Sequence, residues 1–252
     1  MTNRPAIDLN CDLGEAAGHD AALMPLISSA NVASGGHAGD RRSIAVTVAR
    51  ARDHGVAIGC HPGHADPAGF GRRPLPISPT VAADLVATQL AEFAAVAGDS
   101  LRHLKLHGAL YHQVGGDEPL ATAVSRRLAA DWPQLMLFAP AGSRLATIAA
   151  AEGLRVVAEG FADRRYAATG SLLPRSDPAA LITDPAAAAA QAVAIATAGR
   201  VHDATGQPLS LFAETLCIHG DGPAPVRLLK AVRQRLVAAN FAIEPPRAET
   251  RG

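Results

Sequence analysis

Apolar runs of four to six residues alternate along the chain with longer segments of helical period. The runs fall at 6–11, 30–34, 56–60, 101–106, 135–139, 154–158 and 215–218; the helical segments fall at 42–54, 79–97, 118–131, 143–152, 185–198 and 224–240. Strand and helix in strict alternation build a parallel sheet with crossover helices. Several helices carry start signals. Asp40 and Asp117 are placed as N-caps, and Ser78-Pro79 and Asp184-Pro185 put proline at the first helical position. Seven strands in 252 residues predict an α/β fold, an irregular seven-stranded (β/α) barrel forming one domain over 1–252, rather than an open dinucleotide-binding sheet.

Polar residues recur where those runs end. Asp8, Asn10 and Asp12 fall at i, i+2 and i+4, so all three point to one side of the first strand, leaving Ile7, Leu9 and Cys11 for the other. His103, Lys105 and His107 repeat the spacing on the fourth. His37 follows the second strand, His61 the third, Glu159 and Asp163 the sixth, and His219 with Asp221 the last. The carboxyl ends of parallel barrel strands converge on one face, which carries the chemistry. These groups therefore predict one enzymatic pocket, with Glu15 within reach of it.

Lys105 is one of only two lysines, and it lies between Leu104 and Leu106. It suits either stabilisation of an oxyanion or phosphate, or service as a base with a depressed pKa. Gly108 permits close approach of the backbone to a ligand, and the segment after His107 reads as a loop. Two long connections, 62–78 and 160–183, carry the pairs Arg72-Arg73 and Arg164-Arg165; long loops in a compact domain are often functional.

Composition narrows the classes. Hydrophobic residues make up 48% of the chain, enough for a large core, while Lys+Arg and Asp+Glu both number 23. That balance gives no electrostatic case for nucleic acid or an anionic membrane. With no apolar signal segment and no run of 18 apolar residues, a cytoplasmic protein is expected. Cys11, Cys60 and Cys217 read as reduced, small core residues with side chains in the barrel wall. Neither lysine follows a glycine, so there is no Walker A loop; a complete GxGxxG, a GxSxG elbow and an HExxH helix are also missing.

The strings IDLNCDLGE, ANVASGGHAGD, HPGHADPAGFGRR, KLHGALYH, EGFADRRY and CIHGD, in this order, resemble the LamB/YcsF family, the A subunits of bacterial ATP-dependent 5-oxoprolinase. The resemblance implies a barrel of the glycoside hydrolase/deacetylase type. It also implies opening of the lactam of 5-oxo-L-proline to L-glutamate, coupled to ATP hydrolysis, in a complex with subunits B and C. The family's recurrent positions fall on Asp8, Asn10, Asp12, Glu15, His37, Asp40, His61, Arg72, Arg73, Lys105, His107, Glu159, Asp163, Arg164, Tyr166 and His219.

Of these, Asp12, Lys105, His107 and Glu159 are expected to be catalytic, with Asp12 or Glu159 as the base. The others, Asp40 excepted, are expected to bind substrate. ATP is expected to bind mainly on the partners. The alternative is a metal-dependent, deacetylase-like hydrolase of another amide or lactam, with Asp12, His37 and His61 as ligands of a divalent metal. The chain departs from the family at Ser34-Gly35-Gly36 (usually Cys-Gly-Phe), at His64 (usually aromatic) and at Leu106 (usually Pro), changes expected to enlarge or alter the substrate site.

Overall fold

The structure, a computed structural model, describes residues 4–247. The strands are β1 (Ala6–Leu13), β2 (Ser29–Ala33), β3 (Ala57–His61), β4 (Leu101–Lys105), β5 (Met136–Pro140), β6 (Arg155–Phe161), β7 (Arg200–His202), β8 (Pro208–Ser210), β9 (Thr215–Cys217) and β10 (Ala242–Ile243). Seven of them form a closed parallel barrel in the order β1-β2-β3-β4-β5-β6-β9, with β9 pairing back onto β1. β10 adds a short parallel pairing to the start of β1, and β7 and β8 form a separate antiparallel pair.

The helices are α1 (Asp20–Leu23), α2 (Arg41–Asp53), α3 (Pro79–Ala97), α4 (Gly108–Gly116), α5 (Glu118–Asp131), α6 (Arg144–Ala151), α7 (Pro185–Ala198) and α8 (Pro225–Ala238). The caps form where the side chains require them. Asp40 accepts from Ser43 N in a capping box, and Asp117 and Asp184 accept from Leu120 N and Ala187 N. The segment after His107, read as a loop, is helix α4. Its N-terminal residue Gly108 has φ +54°, and a Cβ there would lie 2.6 Å from Gly71 O. The close approach that needs this glycine is therefore to the backbone of the 62–78 connection, not to a ligand.

Both faces of β1 are buried. Ile7, Leu9, Cys11 and Leu13 belong to the main apolar core. The other face is unusual for a packed barrel, whose interior is normally filled by branched aliphatic side chains. Here Asp8, Asn10, Ser29, Asn31, His103, Lys105, Glu159 and Thr215 are all buried and bonded to one another. One helix among the described residues, Pro79–Ser100, is long and apolar enough to cross a membrane, but Ala82, Val86, Leu90 and Phe93 on it are core residues.

Candidate active site

The polar interior is layered. Lowest is Asp8, whose Oδ1 accepts from Ser28 Oγ (2.6 Å) and Ser29 Oγ (2.8 Å) and whose Oδ2 accepts from Thr215 Oγ1 (2.5 Å). Three hydroxyls thus occupy the carboxylate that was expected to meet substrate. Burial pushes its pKa up to about 6 despite those bonds. A carboxyl raised in the folded state binds more protons folded than unfolded, so its contribution to stability falls as pH rises from about 4 to about 6. The span corresponds to on the order of 3 kcal/mol. Denaturant titrations of Asp8→Asn should show the variant gaining on the wild type across that window; a pH-independent difference would contradict this.

Above it, Asn10 Nδ2 donates to Thr215 Oγ1 (2.7 Å) and Glu159 Oε1 (2.9 Å), and Asn31 Nδ2 donates to Asn10 Oδ1 (2.7 Å) and Asp12 Oδ1 (2.9 Å). Lys105 Nζ reaches Asp12 Oδ1 (2.9 Å), Glu159 Oε1 (2.9 Å), Cys217 Sγ (3.0 Å) and Asn10 Oδ1 (3.2 Å). Burial works against its charge, but Asp12, Cys217 and Glu159 outweigh that and hold its pKa well above the lysine range. An ammonium held between the Asp12 and Glu159 carboxylates argues for charge stabilisation and against a base with a depressed pKa. Glu159 has both oxygens engaged, since Oε2 accepts from Tyr111 OH at 2.6 Å. Cys217 corrects a second expectation: its thiol points into the barrel, not into the wall. Cys11, Cys60 and Cys217 are all free and buried.

At the rim, Glu15, His37, His61 and His107 are buried and bring one ligand atom each within 4.8 Å of one another, a set that could hold a metal ion. His37 Nε2 meets Glu15 Oε1 at 3.0 Å, and the His37 and His107 rings stack at 3.5 Å. Asp12, expected as a ligand with His37 and His61, adjoins this cluster, its Oδ2 at 3.4 Å from His61 Nε2 and its Oδ1 on Lys105, and with Cys217 and His219 it forms a second group whose ligand atoms lie within 4.8 Å of one another.

A cavity of about 490 Å³ opens above these groups. Of the expected site residues it is bordered by Asp12, Glu15, His61, Arg72, Lys105, His107, Arg164 and His219. Asn10, His37, Glu159 and Asp163 stand one layer behind, each bonded to another residue of the site. Asp8, Arg73 and Tyr166 lie away from it. Arg73 pairs with Asp66 across the turn Pro67–Gly69, and its side chain is 62% exposed. Tyr166 OH accepts from Phe161 N at 2.8 Å and braces the 160–183 connection.

That connection contributes the part of the wall sequence reasoning did not single out: Leu172, Pro174, Arg175 and Ser176. Helix α4 adds Tyr111, His112 and Gln113. Arg164 is 2% exposed; its Nη2 donates to Leu173 O at 2.5 Å, while its Nε has no hydrogen-bond partner. Burial and the nearby Arg175 both lower its pKa. His219 Nδ1 lies 2.9 and 3.1 Å from the two oxygens of Asp163, so Nδ1 donates and Nε2 keeps its lone pair in the neutral ring.

The departure at 34–36 does not enlarge the cavity. A Cβ on Gly36 would lie 2.6 Å from the Gln89 side chain, which bonds Ser34 Oγ and both backbone groups of Gly63. Gln89 fills the space behind the site, and none of 34–36 borders the cavity.

The model of the LamB/YcsF family matches residues 7–251. The chain belongs to the LamB/YcsF family. A relative from Symbiobacterium thermophilum, named as the A subunit of 5-oxoprolinase, is 47% identical, with 96% of each chain covered. The crystal structure of a lactam utilization protein from Thermus thermophilus superposes with a TM-score of 0.87 at 40% identity, covering 95% of this chain and 99% of its own. A deacetylase solved with substrate shares the fold alone, with a TM-score of 0.52 at 13% identity over 95% of this chain and 87% of its own. The family thus has the barrel expected from the strand count.

Proposed function

We propose that this chain is the A subunit of an ATP-dependent 5-oxoprolinase, a single-domain cytoplasmic hydrolase that opens the lactam of 5-oxo-L-proline to L-glutamate together with subunits B and C. The observation that carries the reading is full-length similarity to 5-oxoprolinase A subunits, joined to a cavity with a carboxylate-lysine floor and a mouth where Arg72 and Arg175 both pair with Asp221. An amide carbon is a poor electrophile because nitrogen donates into the carbonyl. Phosphorylation of the lactam oxygen removes that resistance, and the missing Walker A loop leaves ATP to the partners.

Arg72, Arg164 and Arg175 border the cavity and suit the phosphate of such a species. Water adds to the activated carbon, giving its proton to His219 Nε2, and the C–N bond breaks as nitrogen takes up a proton. The acyl phosphate left behind is hydrolysed by a second water to glutamate and phosphate. Asp163 orients His219 as base and Lys105 fixes Asp12 at the floor. Of the two carboxylates expected as base, Glu159 has both oxygens engaged and Asp12 has Oδ1 held by Lys105 and Asn31, so this reading places the base on His219 instead.

A second reading, a metal-dependent hydrolase of another amide or lactam, is favoured by the Glu15-His37-His61-His107 cluster. Hydrolysis of lactams and simple amides other than 5-oxoproline, assayed with this chain alone, no ATP and with and without chelator, separates the two. The 5-oxoprolinase reading expects none; rapid ATP-independent hydrolysis that chelator abolishes would replace it with the hydrolase reading.

A further inference from the structure

Two imidazoles at the rim turn ring nitrogens toward each other, 3.0 Å apart. His61 Nδ1 lies 2.7 Å from Lys105 O, and His107 Nε2 lies 2.9 Å from Phe70 O. A carbonyl oxygen only accepts, so these outer nitrogens carry the ring protons. In neutral rings the inner nitrogens, His61 Nε2 and His107 Nδ1, then both present lone pairs, and they lie 3.0 Å apart. Glu15 Oε1 brings a third electron-rich atom, 3.3 Å from His107 Nδ1 and 3.9 Å from His61 Nε2. Three donor atoms thus converge in a buried place, an arrangement that suits a cation among them.

We propose that Glu15, His61 and His107 form a binding site for a transition-metal dication of the Zn²⁺ class, with its remaining position open to the cavity. Bonds of about 2.0–2.1 Å in a tetrahedron set donor atoms about 3.3 Å apart, close to the separations here. The two outer nitrogens bonded to backbone carbonyls are the support that orients metal-ligating imidazoles. Two nitrogens and one carboxylate favour Zn²⁺ or Co²⁺ over Mg²⁺ or Ca²⁺.

His37 belongs to the same cluster but acts from behind: its Nε2–H donates to Glu15 Oε1 at 3.0 Å, and its ring lies flat on His107. Glu15, His61 and His107 border the cavity, whereas His37 does not. Three protein ligands are the count of an exchangeable, reactive site rather than of a structural one, and the fourth position would face the cavity beside Asp12 Oδ2, 3.4 Å from His61 Nε2. This inference does not depend on the lactam reading.

The test is metal binding, not activity. The full chain is stripped with chelator, checked for retained fold by circular dichroism, and titrated with Zn²⁺ and with Co²⁺. One equivalent of either ion is expected, with the visible absorption of four-coordinate Co²⁺. Folded Glu15→Gln and His107→Gln should lose that absorption and weaken binding at least tenfold, whereas His219→Ala should retain both. Failure of the folded wild-type chain to bind either ion overturns the proposal without any variant. So does a bound equivalent that survives both ligand substitutions or is lost in His219→Ala.

Discussion

Replacing Lys105 by Met is expected to abolish turnover and to destabilise the barrel together. Its ammonium lies between Asp12 and Glu159, both buried, with Cys217 and Asn10 as further partners. Removing one member of a buried ionic network leaves the others uncompensated, which costs about 3–5 kcal/mol. In a domain of this size that lowers Tm by roughly 10 °C. The bond network thus makes Lys105 structural as well as catalytic. The two effects separate in the double variant Lys105→Met/Glu159→Gln. Neutralising Glu159 should recover much of the stability and none of the glutamate release. A Lys105→Met protein with wild-type Tm and activity would contradict the network.

The second large effect is expected at His219. With Nδ1 on Asp163, its Nε2 is a lone pair on the cavity wall. General-base catalysis contributes about 10²–10⁴-fold, so His219→Ala should lower kcat by that factor in the assembled enzyme while KM changes little. Asp163→Asn should lower kcat less, because it disturbs the orientation of the ring without removing it. Asp163 also accepts from His219 N at 2.9 Å, so the variant should loosen the turn after β9. A rise in KM with unchanged kcat in His219→Ala would assign the residue to binding instead of proton transfer.

The barrel was legible because its signals are local. Alternating apolar runs and capped helices placed all seven barrel strands, with boundaries shifted by at most three residues. The i, i+2, i+4 rows on β1 and β4 likewise fixed Asp12 and Lys105 on the inner face. Parity on β9 held a signal that went unused: Thr215, Cys217 and His219 share a side, which turns the Cys217 thiol inward beside Lys105. Helix α4 was hidden because HGALYHQVGG carries three glycines, and its burial, not its propensity, stabilises it. The outward turn of Arg73 depends on Asp66 and the short turn Pro67–Gly69, a contact within a loop that residue spacing does not encode. Of the two carboxylates expected as base, Asp12 and Glu159, the engagement of Glu159 is a tertiary effect that spacing does not encode, since Lys105 on β4 and Tyr111 on the helix that follows both reach it.

Division of the reaction between this chain and its partners is tested by glutamate release from 5-oxoproline and ATP, measured for this chain alone, for subunits B and C alone, and for the three together. Release is expected only from the three together. Glutamate formed by B and C without this chain, or none from a fully assembled and folded mixture, would contradict the proposed role.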